Sequence, residues 1–450
     1  MAGFIVLSAF VTQGQETGIA DDSLHNQQAG NTREFQNSQE IDQRLRVLER
    51  LREVDQEQAA KRAEESPLVG AGKDGFFLRA PDTSFLIKLR LEAHFDGRYF
   101  LNDDSNVHSS TFLVRRLRPI IEGKLPGPFS FKITPDFGNG KIDLLDAYVE
   151  SDPALLIGLR LGKFKQPFGL EQLQSTPSFP FVEQSLSTSL GTNRDVGAQI
   201  QGDFRKGFIA YAIGVFNGAT DGAVLDADSN SHKDIAGRIF FQPFSSISLL
   251  QGLGIGFAAT SGWHGGLPRV TGLPSYKTAG QETYFKYKDT TIAAGERTRL
   301  SYQGYYYLGP VGILGEYIES KAAIARKTAQ KDLTNKGWQT SISYAATGEP
   351  NSYRGIKPFR AFDPSKRQWG AIEVIGRVSA VTFDKNSFPV FADSTKSVNS
   401  TFDYGVGINW HLNRNAKFLV DYFQTSFDGG KKGGDRDKEQ VIAGRLQIVY

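Results

Sequence analysis

Hydrophobic and polar residues alternate with a period of two from about residue 76 almost to the end of the chain. In the clearest stretch, residues 85–98, apolar side chains occupy one parity and charged side chains the other. This alternation predicts β-strands, because successive side chains of a strand point to opposite faces. A strand face that carries Lys88, Arg90, Glu92, Asp96 and Arg98 indicates a water-filled interior on that side and lipid on the other.

The connections between the predicted strands fall into two kinds. Tight turns are predicted at residues 126–128, 151–153, 205–207, 308–310 and 413–415, and long polar loops at 217–233, 262–297, 320–336, 384–399 and 428–439. Short turns on one side and long loops on the other are typical of an outer-membrane β-barrel. The pattern predicts an all-β, antiparallel transmembrane barrel of about sixteen strands, a size that leaves an aqueous channel. Segment 347–367 is long where a short turn is expected, and we predict that it plugs or lines the periplasmic mouth of the barrel.

One loop stands out, at residues 166–193, between strands predicted at 155–164 and 195–204. Loops of this length are uncommon between paired strands and are usually functional. Its prolines and phenylalanines predict an ordered loop that packs against other residues. We interpret it as folded into the barrel, where it narrows the channel. The final residue, Tyr450, is an aromatic on the lipid-facing parity, which is typical of such barrels.

The N-terminal part has a different pattern. Residues 1–38 comprise an apolar, signal-like run at 3–11 and a polar linker, and residues 39–66 form a short amphipathic helix. Ile41, Leu45 and Leu48 recur at three- and four-residue steps on this helix. Two interpretations stay open, a trimeric coiled coil and a solvated helical spacer. The predicted barrel domain covers residues 76–450.

Composition narrows the class of protein. The chain has 450 residues, a net charge of +3, 39% hydrophobic residues, 33 Phe, 48 Gly and no Cys. No apolar run approaches the ~20 residues of a membrane-spanning helix, which excludes a helical membrane protein. The nearly balanced charge gives no support for nucleic-acid binding. On composition alone, a large soluble all-β protein remains the alternative.

No motif for catalysis, for a cofactor or for a metal is present. His94 and His411 fall on the interior parity, but neither belongs to a recognisable catalytic pattern. No phosphate-binding glycine loop opens a helix, and neither HExxH nor CxxC spacing occurs. We therefore expect no enzyme activity and no cofactor. A barrel enzyme or an adhesin remains a distant alternative.

Several motifs resemble one family. LVRRLRPIIEGKL at 113–125, FKITPDF at 131–137, LLDAYVE at 144–150 and GKFKQPFGLEQLQSTPSFPFVEQSL at 162–186 resemble the phosphate-selective porins O and P, over about residues 85–450. The resemblance implies an outer-membrane barrel of sixteen strands, normally a homotrimer, that passes small anions such as phosphate or polyphosphate. In that family, arginines lead ions to a constriction that carries arginines and lysines. Some members also carry a short N-terminal coiled coil, and their partner is the lipid of the outer membrane of Gram-negative-type bacteria.

Basic residues on the interior parity or beside the long loop are the candidate anion-binding, pore-lining set. They are Arg90, Arg98, Arg116, Arg118, Lys132, Arg160, Lys163, Lys165, Arg194, Arg238, Arg299 and Arg377. Interior acidic residues nearly balance them, so a general or otherwise selective diffusion porin stays open beside an anion porin. Lys163, Lys165 and Arg194 are candidates for the constriction, or are solvated charges at the base of the loop.

Arg115 conflicts with the strand parity. If Arg116 and Arg118 face the interior, Arg115 faces lipid, where a charge at the bilayer midplane costs ~2–4 kcal/mol. Either Arg115 lies near the interface, or a β-bulge shifts the register.

Overall fold

The computed structural model describes residues 23–72, 75–101, 109–151, 157–204, 207–224, 231–244, 246–267 and 270–450. The signal-like run at 3–11 and linker residues 12–22 lie outside these ranges. The chain divides between Ser66 and Pro67 into two compact units. Within the described residues, no helix combines the length and apolarity needed to cross a membrane.

In the part of the first unit that the structure describes, one helix is present, α1 (Ser23–Glu65). It begins at Ser23 and not near residue 39, so the prediction of a polar linker over residues 23–38 is wrong. Surface ion pairs one turn apart support the helix, with Arg44 2.8 Å from Glu40 and Arg46 3.1 Å from Asp42. Its apolar side chains from Ile41 to Val54 are exposed, and Leu48 is 64% exposed.

The second unit consists of a large sheet, a small hairpin and a few helical turns. Its strands are β1 (Leu68–Gly72), β2 (Gly75–Arg79), β3 (Leu86–Phe100), β4 (Thr111–Leu125), β5 (Phe129–Asp136), β6 (Asp143–Ser151), β7 (Gly158–Lys165), β8 (Arg194–Phe204), β9 (Ile209–Phe216), β10 (Asp234–Phe241), β11 (Leu253–Gly265), β12 (Ser275–Lys277), β13 (Thr283–Lys286), β14 (Ile292–Leu308), β15 (Val311–Arg326), β16 (Ala329–Ala345), β17 (Ala371–Thr382), β18 (Val398–His411), β19 (Ala416–Lys431), β20 (Gly434–Asp435) and β21 (Glu439–Val449). Helix α2 is Leu170–Leu173, and 3₁₀ turns lie at Thr176–Ser178, Leu186–Leu190, Pro364–Lys366 and Lys385–Ser387.

In the described part of the chain, sixteen of these strands form a closed antiparallel barrel. Each of them pairs with the next along the chain, leaving out β1, β2, β12, β13 and β20. The barrel closes where β21 pairs with β3, from Val449 opposite Glu92 to Val441 opposite Phe100. The predicted fold class is confirmed.

Two local features differ from the sequence-based expectation. Residues 320–336 were expected to be a long polar loop, but β15 and β16 stay paired through Arg326 and Ala329, so the connection is a tight turn. Polar strands can extend beyond the membrane, where no apolar face marks them. The hairpin β1–β2 was not predicted. Its second strand pairs with residues 86–89 of β3, next to the backbone hydrogen bonds between Leu91 and Tyr450.

The two faces of the barrel wall differ sharply. Outward residues are apolar and exposed, such as Phe95, Val406 and Ile408 at 44%, 52% and 54%. Inward residues are charged or polar yet buried, such as Glu92 at 4% and Asp403 at 0%. The interior is therefore filled by the chain's own loops to a large extent.

Long loops pack together inside the barrel around aromatic side chains. Leu186 and Leu190 of loop 166–193 belong to one buried cluster with Tyr284 and Phe285 of the β12–β13 hairpin. Phe383, from the loop after β17, stacks on Phe285 with ring centroids 3.8 Å apart. This cluster fills part of the barrel interior.

Candidate functional site

Residues 166–193, the inward loop, connect β7 to β8 and lie inside the barrel. Their apolar side chains are almost fully buried, with Phe168, Leu170 and Val182 at 0% exposure. A loop in contact with solvent on the outside of the barrel would leave these side chains exposed. The inward loop therefore sets the width of the channel.

Carboxylates of the far wall accept hydrogen bonds from the loop backbone. Glu316 Oε1 accepts from the Leu170 N–H at 2.7 Å, and Asp421 Oδ2 accepts from the Val182 N–H at 2.6 Å. Hydrogen bonds to charged groups are stronger than those between neutral groups. These contacts fix the loop on the wall strands β15 and β19.

Cations and amides of the same wall donate to loop carbonyls. Lys417 Nζ lies 2.8 Å from Phe179 O, and Arg377 Nη1 lies 2.8 Å from Glu183 O. Asn409 donates to Pro180 O, also at 2.8 Å. Buried charged and polar groups are costly without hydrogen-bond partners. The loop carbonyls supply these partners to the wall side chains, and the same hydrogen bonds hold the loop in place.

Segment 347–367 supports the inward loop from the short-turn end. Tyr353 donates its hydroxyl to Leu170 O at 2.6 Å, and Gln174 donates to Tyr353 O at 2.8 Å. Ser178 donates to Arg354 O at 2.8 Å. The first half of this segment lies in the mouth of the barrel, whereas Phe362 packs against Trp410 of β18.

A β-bulge resolves the conflict at Arg115. The register of β4 against β3 shifts there, with His94 opposite Arg116 and Phe95 opposite Val114. Arg115 is the extra residue, and it turns inward instead of facing lipid. The bulge thus gives the interior two consecutive arginines.

Glu183 of the inward loop is held by two guanidinium groups. Arg115 Nε lies 2.9 Å from Glu183 Oε1, and Arg98 Nη2 lies 2.9 Å from the same oxygen. Burial by itself would raise the pKa of the Glu183 carboxyl, but Arg115, Arg116 and Arg445 together outweigh burial and hold that pKa well below its usual range. This carboxylate therefore stays ionised and attaches the loop to β3 and β4.

The variant Glu183→Gln is expected to lower the free energy of unfolding by about 3 kcal/mol, because it leaves two buried guanidinium groups without their carboxylate. A lowered carboxyl pKa adds stability above the ordinary pKa, and this stability is lost as the pH falls toward the lowered value. The difference from wild type should be constant from neutral pH to about pH 5.5 and shrink at more acidic pH.

Thermal unfolding of the purified protein across this pH range measures the effect. Glu122→Gln is the matched control, since its pair with Arg90 (3.1 Å) is only half-buried. A Glu183→Gln variant as stable as the control would contradict the attachment.

Two cavities meet at the inward loop. A cavity of about 640 Å³ lies on the long-loop side, and one of about 290 Å³ lies on the short-turn side. Arg118, Lys165, Thr176 and Arg194 line both cavities. We call the junction between them the narrow passage.

Cations outnumber carboxylates around these cavities. The first is lined by Arg115, Arg116, Arg118, Lys141, Lys165, Arg194 and Lys277 against Asp136, Asp143, Glu183 and Asp221. The second is lined by Arg90, Arg118, Lys132, Arg160, Lys165 and Arg194 against Glu92 and Asp146. The potential along the passage is therefore positive, and the low-dielectric protein wall strengthens it.

Some predicted residues at the cavities are paired with carboxylates. Arg118 contacts Asp136 at 2.7 Å and Glu92 at 3.0 Å. Arg194 contacts Asp146 at 2.8 Å, which also lies 3.7 Å from Lys132. Similarly, Arg160 pairs with Glu150 at 2.5 Å.

Two predicted cations have other partners. Lys165 Nζ donates to the carbonyls of Gln172 (2.6 Å) and Gln174 (2.8 Å), and Arg116 Nη1 lies 3.1 Å from His94 Nδ1. Within the described ranges, neither Lys165 nor Arg116 forms an ion pair with a carboxylate. Their charge is thus the least compensated at the passage.

The remaining predicted residues lie away from the narrow passage. Arg299 is fully buried against Asp221 at 2.6 Å, and Arg377 lies under the Phe181 ring at 4.6 Å. Arg98 is buried beneath Glu183, and Arg238 lines a third cavity of about 270 Å³, which Arg160 and Lys165 also line. Lys163 is buried on β7 opposite Ala147, and it is not among the described residues that line the two cavities.

Parity reasoning missed three basic residues of the larger cavity. Arg115 was detectable from the arginine doublet, because two adjacent strand residues cannot both face inward without a bulge. Lys141 and Lys277 lie in loops, where strand parity makes no prediction.

The described residues contain no group of three or more metal-ligating side chains placed to hold an ion. His94 and His411 contact Arg116 and Glu373 respectively, within the ion-pair network of the wall. The site is a charged passage between two water-accessible cavities.

Comparisons with known proteins agree with this geometry. The family described as "Phosphate-selective porin O and P" matches residues 87–450. Porin O of Pseudomonas aeruginosa is 26% identical over 426 residues, covering 84% of this chain and 91% of that protein.

Solved structures share the fold. The outer membrane channel DcaP of Acinetobacter baumannii superposes with a TM-score of 0.54 at 10% identity, over 85% of this chain and 99% of that chain. The anion-selective porin from Comamonas acidovorans gives 0.51 at 13% identity, over 81% and 100%. The chain therefore belongs to the phosphate-selective porin O and P family, and it is an outer-membrane porin, a diffusion channel and not an enzyme.

Proposed function

We propose that this porin passes small anions in preference to cations. The surplus of cations at the narrow passage is the observation that supports this proposal, above all the uncompensated Arg116 and Lys165. Diffusion is passive, through the two cavities and past the inward loop. An anion that enters the passage loses part of its hydration shell. Fixed guanidinium, ammonium and hydroxyl groups of the protein replace the lost water molecules.

We propose phosphate-like oxyanions as the permeant class. Guanidinium groups bind tetrahedral oxyanions through two parallel hydrogen bonds, which a halide cannot form. Arg115, Arg116, Arg118, Lys165 and Arg194 all line the larger cavity. The family description and the resemblance of the central motifs support the same class.

The reversal potential of the purified protein in a planar bilayer under a KCl gradient tests this function. An anion-preferring pore should give a potential near that of chloride, and added phosphate should reduce the chloride current at low concentration. A potential near zero with no effect of phosphate would contradict both proposals.

A general or otherwise selective diffusion porin is the second candidate. The pairs of Arg118, Arg194 and Arg160 with nearby carboxylates favour it, since a compensated cation attracts anions weakly. A chloride potential without a phosphate effect would favour an anion pore of broader specificity.

We also propose that the protein is a homotrimer whose α1 helices form a coiled coil. Ile41, Leu45 and Leu48 are 50–64% exposed in the single chain and lie on one side of the helix. Such a stripe gains stability only when it is covered by another helix.

Leu45→Asp with Leu48→Asp should therefore weaken or abolish the trimer, as measured by mass in detergent. Gln43→Asp with Arg50→Asp, on another side of α1, is the control and should remain trimeric. A trimer of unchanged stability in the leucine variant would show that α1 is a solvated spacer and not a coiled coil.

A further inference from the structure

The second half of segment 347–367 and the residues up to Trp369 lie on the outside of the barrel. The Phe362 N–H donates to Leu412 O at 2.6 Å, and the Phe362 ring meets the Trp410 ring edge-on at 5.1 Å. Trp410 Nε1 donates to Trp369 O at 2.6 Å. Residues 359–369 are thus fixed against the end of β18, and we call them the rim segment.

The aromatic side chains of the rim continue the lipid-facing surface. Trp410 has the same strand parity as Val406 and Ile408, which are 52% and 54% exposed on the outer wall. Its ring lies 6.2 Å from the Phe418 ring of β19. Trp369 and Phe359 of the rim segment are 63% and 68% exposed. Large aromatic side chains at this position are typical of the membrane–water interface.

Basic side chains surround these aromatics. Arg360, Lys366 and Arg367 of the rim segment are exposed, as is Arg414 in the neighbouring turn between β18 and β19. Lys366 pairs with Asp363 at 2.8 Å, whereas the three arginines form no ion pair within the residues that the structure describes. The rim therefore presents three uncompensated guanidinium groups beside two exposed rings.

We propose that this rim binds the headgroups of anionic phospholipids in the periplasmic leaflet of the outer membrane. The connection between β16 and β17 lies at the end of the barrel that carries Tyr450 and the short turns, which is the periplasmic end. Aromatic rings place the rim at headgroup depth, and arginines at that depth meet phosphates. A zwitterionic headgroup also offers a phosphate, but its ammonium group cancels the net attraction.

Brominated lipids test the proposal through tryptophan fluorescence. The porin is reconstituted in bilayers of phosphatidylethanolamine with one fifth phosphatidylglycerol, and either lipid carries the bromine. Phe replaces Trp263 and Trp338, so that Trp369 and Trp410 report on the rim. Brominated phosphatidylglycerol should quench this fluorescence well beyond its share of the bilayer.

The variant Arg360→Gln, Arg367→Gln, Arg414→Gln should lose most of the preference for phosphatidylglycerol, since basic side chains near an anionic surface each contribute several-fold. Lys327→Gln, Lys385→Gln, Lys432→Gln removes the same charge from exposed positions at the long-loop end and should keep the preference. Unchanged single-channel conductance in all variants shows that the barrel is folded.

Three outcomes would overturn the proposal. Equal quenching by the two brominated lipids would make the rim an unselective aromatic belt. A preference that survives in the arginine variant would assign it to other groups. The third outcome combines two results: both brominated lipids quench equally, and the arginine variant no longer co-sediments with purified peptidoglycan sacculi. It would show that the arginines bind the cell wall and not the lipid.

Discussion

Replacing Arg116 and Lys165 together by glutamine is expected to lower the ratio of chloride to potassium permeability by roughly tenfold, toward that of an unselective pore. Both cations line the larger cavity, and neither forms an ion pair with a carboxylate within the described residues. A paired arginine contributes little net field in the wild type, because its carboxylate partner cancels most of that field. The two uncompensated charges should therefore dominate selectivity.

Reversal potentials of the single and double variants under a KCl gradient measure this effect. Lys327→Gln with Lys432→Gln removes the same charge from exposed loop positions and should change the ratio little. Because Lys165 also holds the carbonyls of Gln172 and Gln174, its single variant should raise the conductance as well. A double variant with the wild-type ratio would remove both residues from the selectivity filter.

Replacing Glu316 and Asp421 by alanine should detach the inward loop from the far wall and raise the single-channel conductance severalfold. Each side-chain carboxyl group accepts a short hydrogen bond from a loop N–H, worth about 0.5–3 kcal/mol. Loss of both also leaves the N–H groups of Leu170 and Val182 without their acceptors in a buried site. The loop should then sample positions away from β15 and β19, with a wider passage and noisier current.

Glu319→Ala is the matched control, because Glu319 lies on the same strand as Glu316 but pairs with Lys336 at 3.5 Å on the other face of the wall. Its conductance should equal that of the wild type. If the double variant also keeps the wild-type conductance while its barrel melts normally, the loop is held by its apolar core contacts and not by the wall carboxylates.

The inward loop shows how far sequence reasoning reached at the site. Its position between two strands and its aromatic content predicted that it enters the barrel, and the structure places it there. Its attachment was not predictable, because Glu316 and Asp421 are separated from the loop by well over a hundred residues. Charges that parity places in the interior can line the channel or hold the loop, and only their partners distinguish these roles. Arg98 and Arg377 hold the loop, Arg116 lines the channel, and Lys165 does both.

Strand parity alone determined the closed barrel, the charged interior and the approximate strand number, because a period of two is a local property of an extended backbone. It left a bulge at Arg115 as one of two alternatives, and it could not detect the hairpin β1–β2 or the extended pairing of β15 with β16. The partner strand decides register, and beyond the membrane no apolar face marks a strand. The tertiary structure also decided which cations remain uncompensated at the narrow passage. That outcome depends on distances between side chains of different strands, and the order of residues along the chain does not contain those distances.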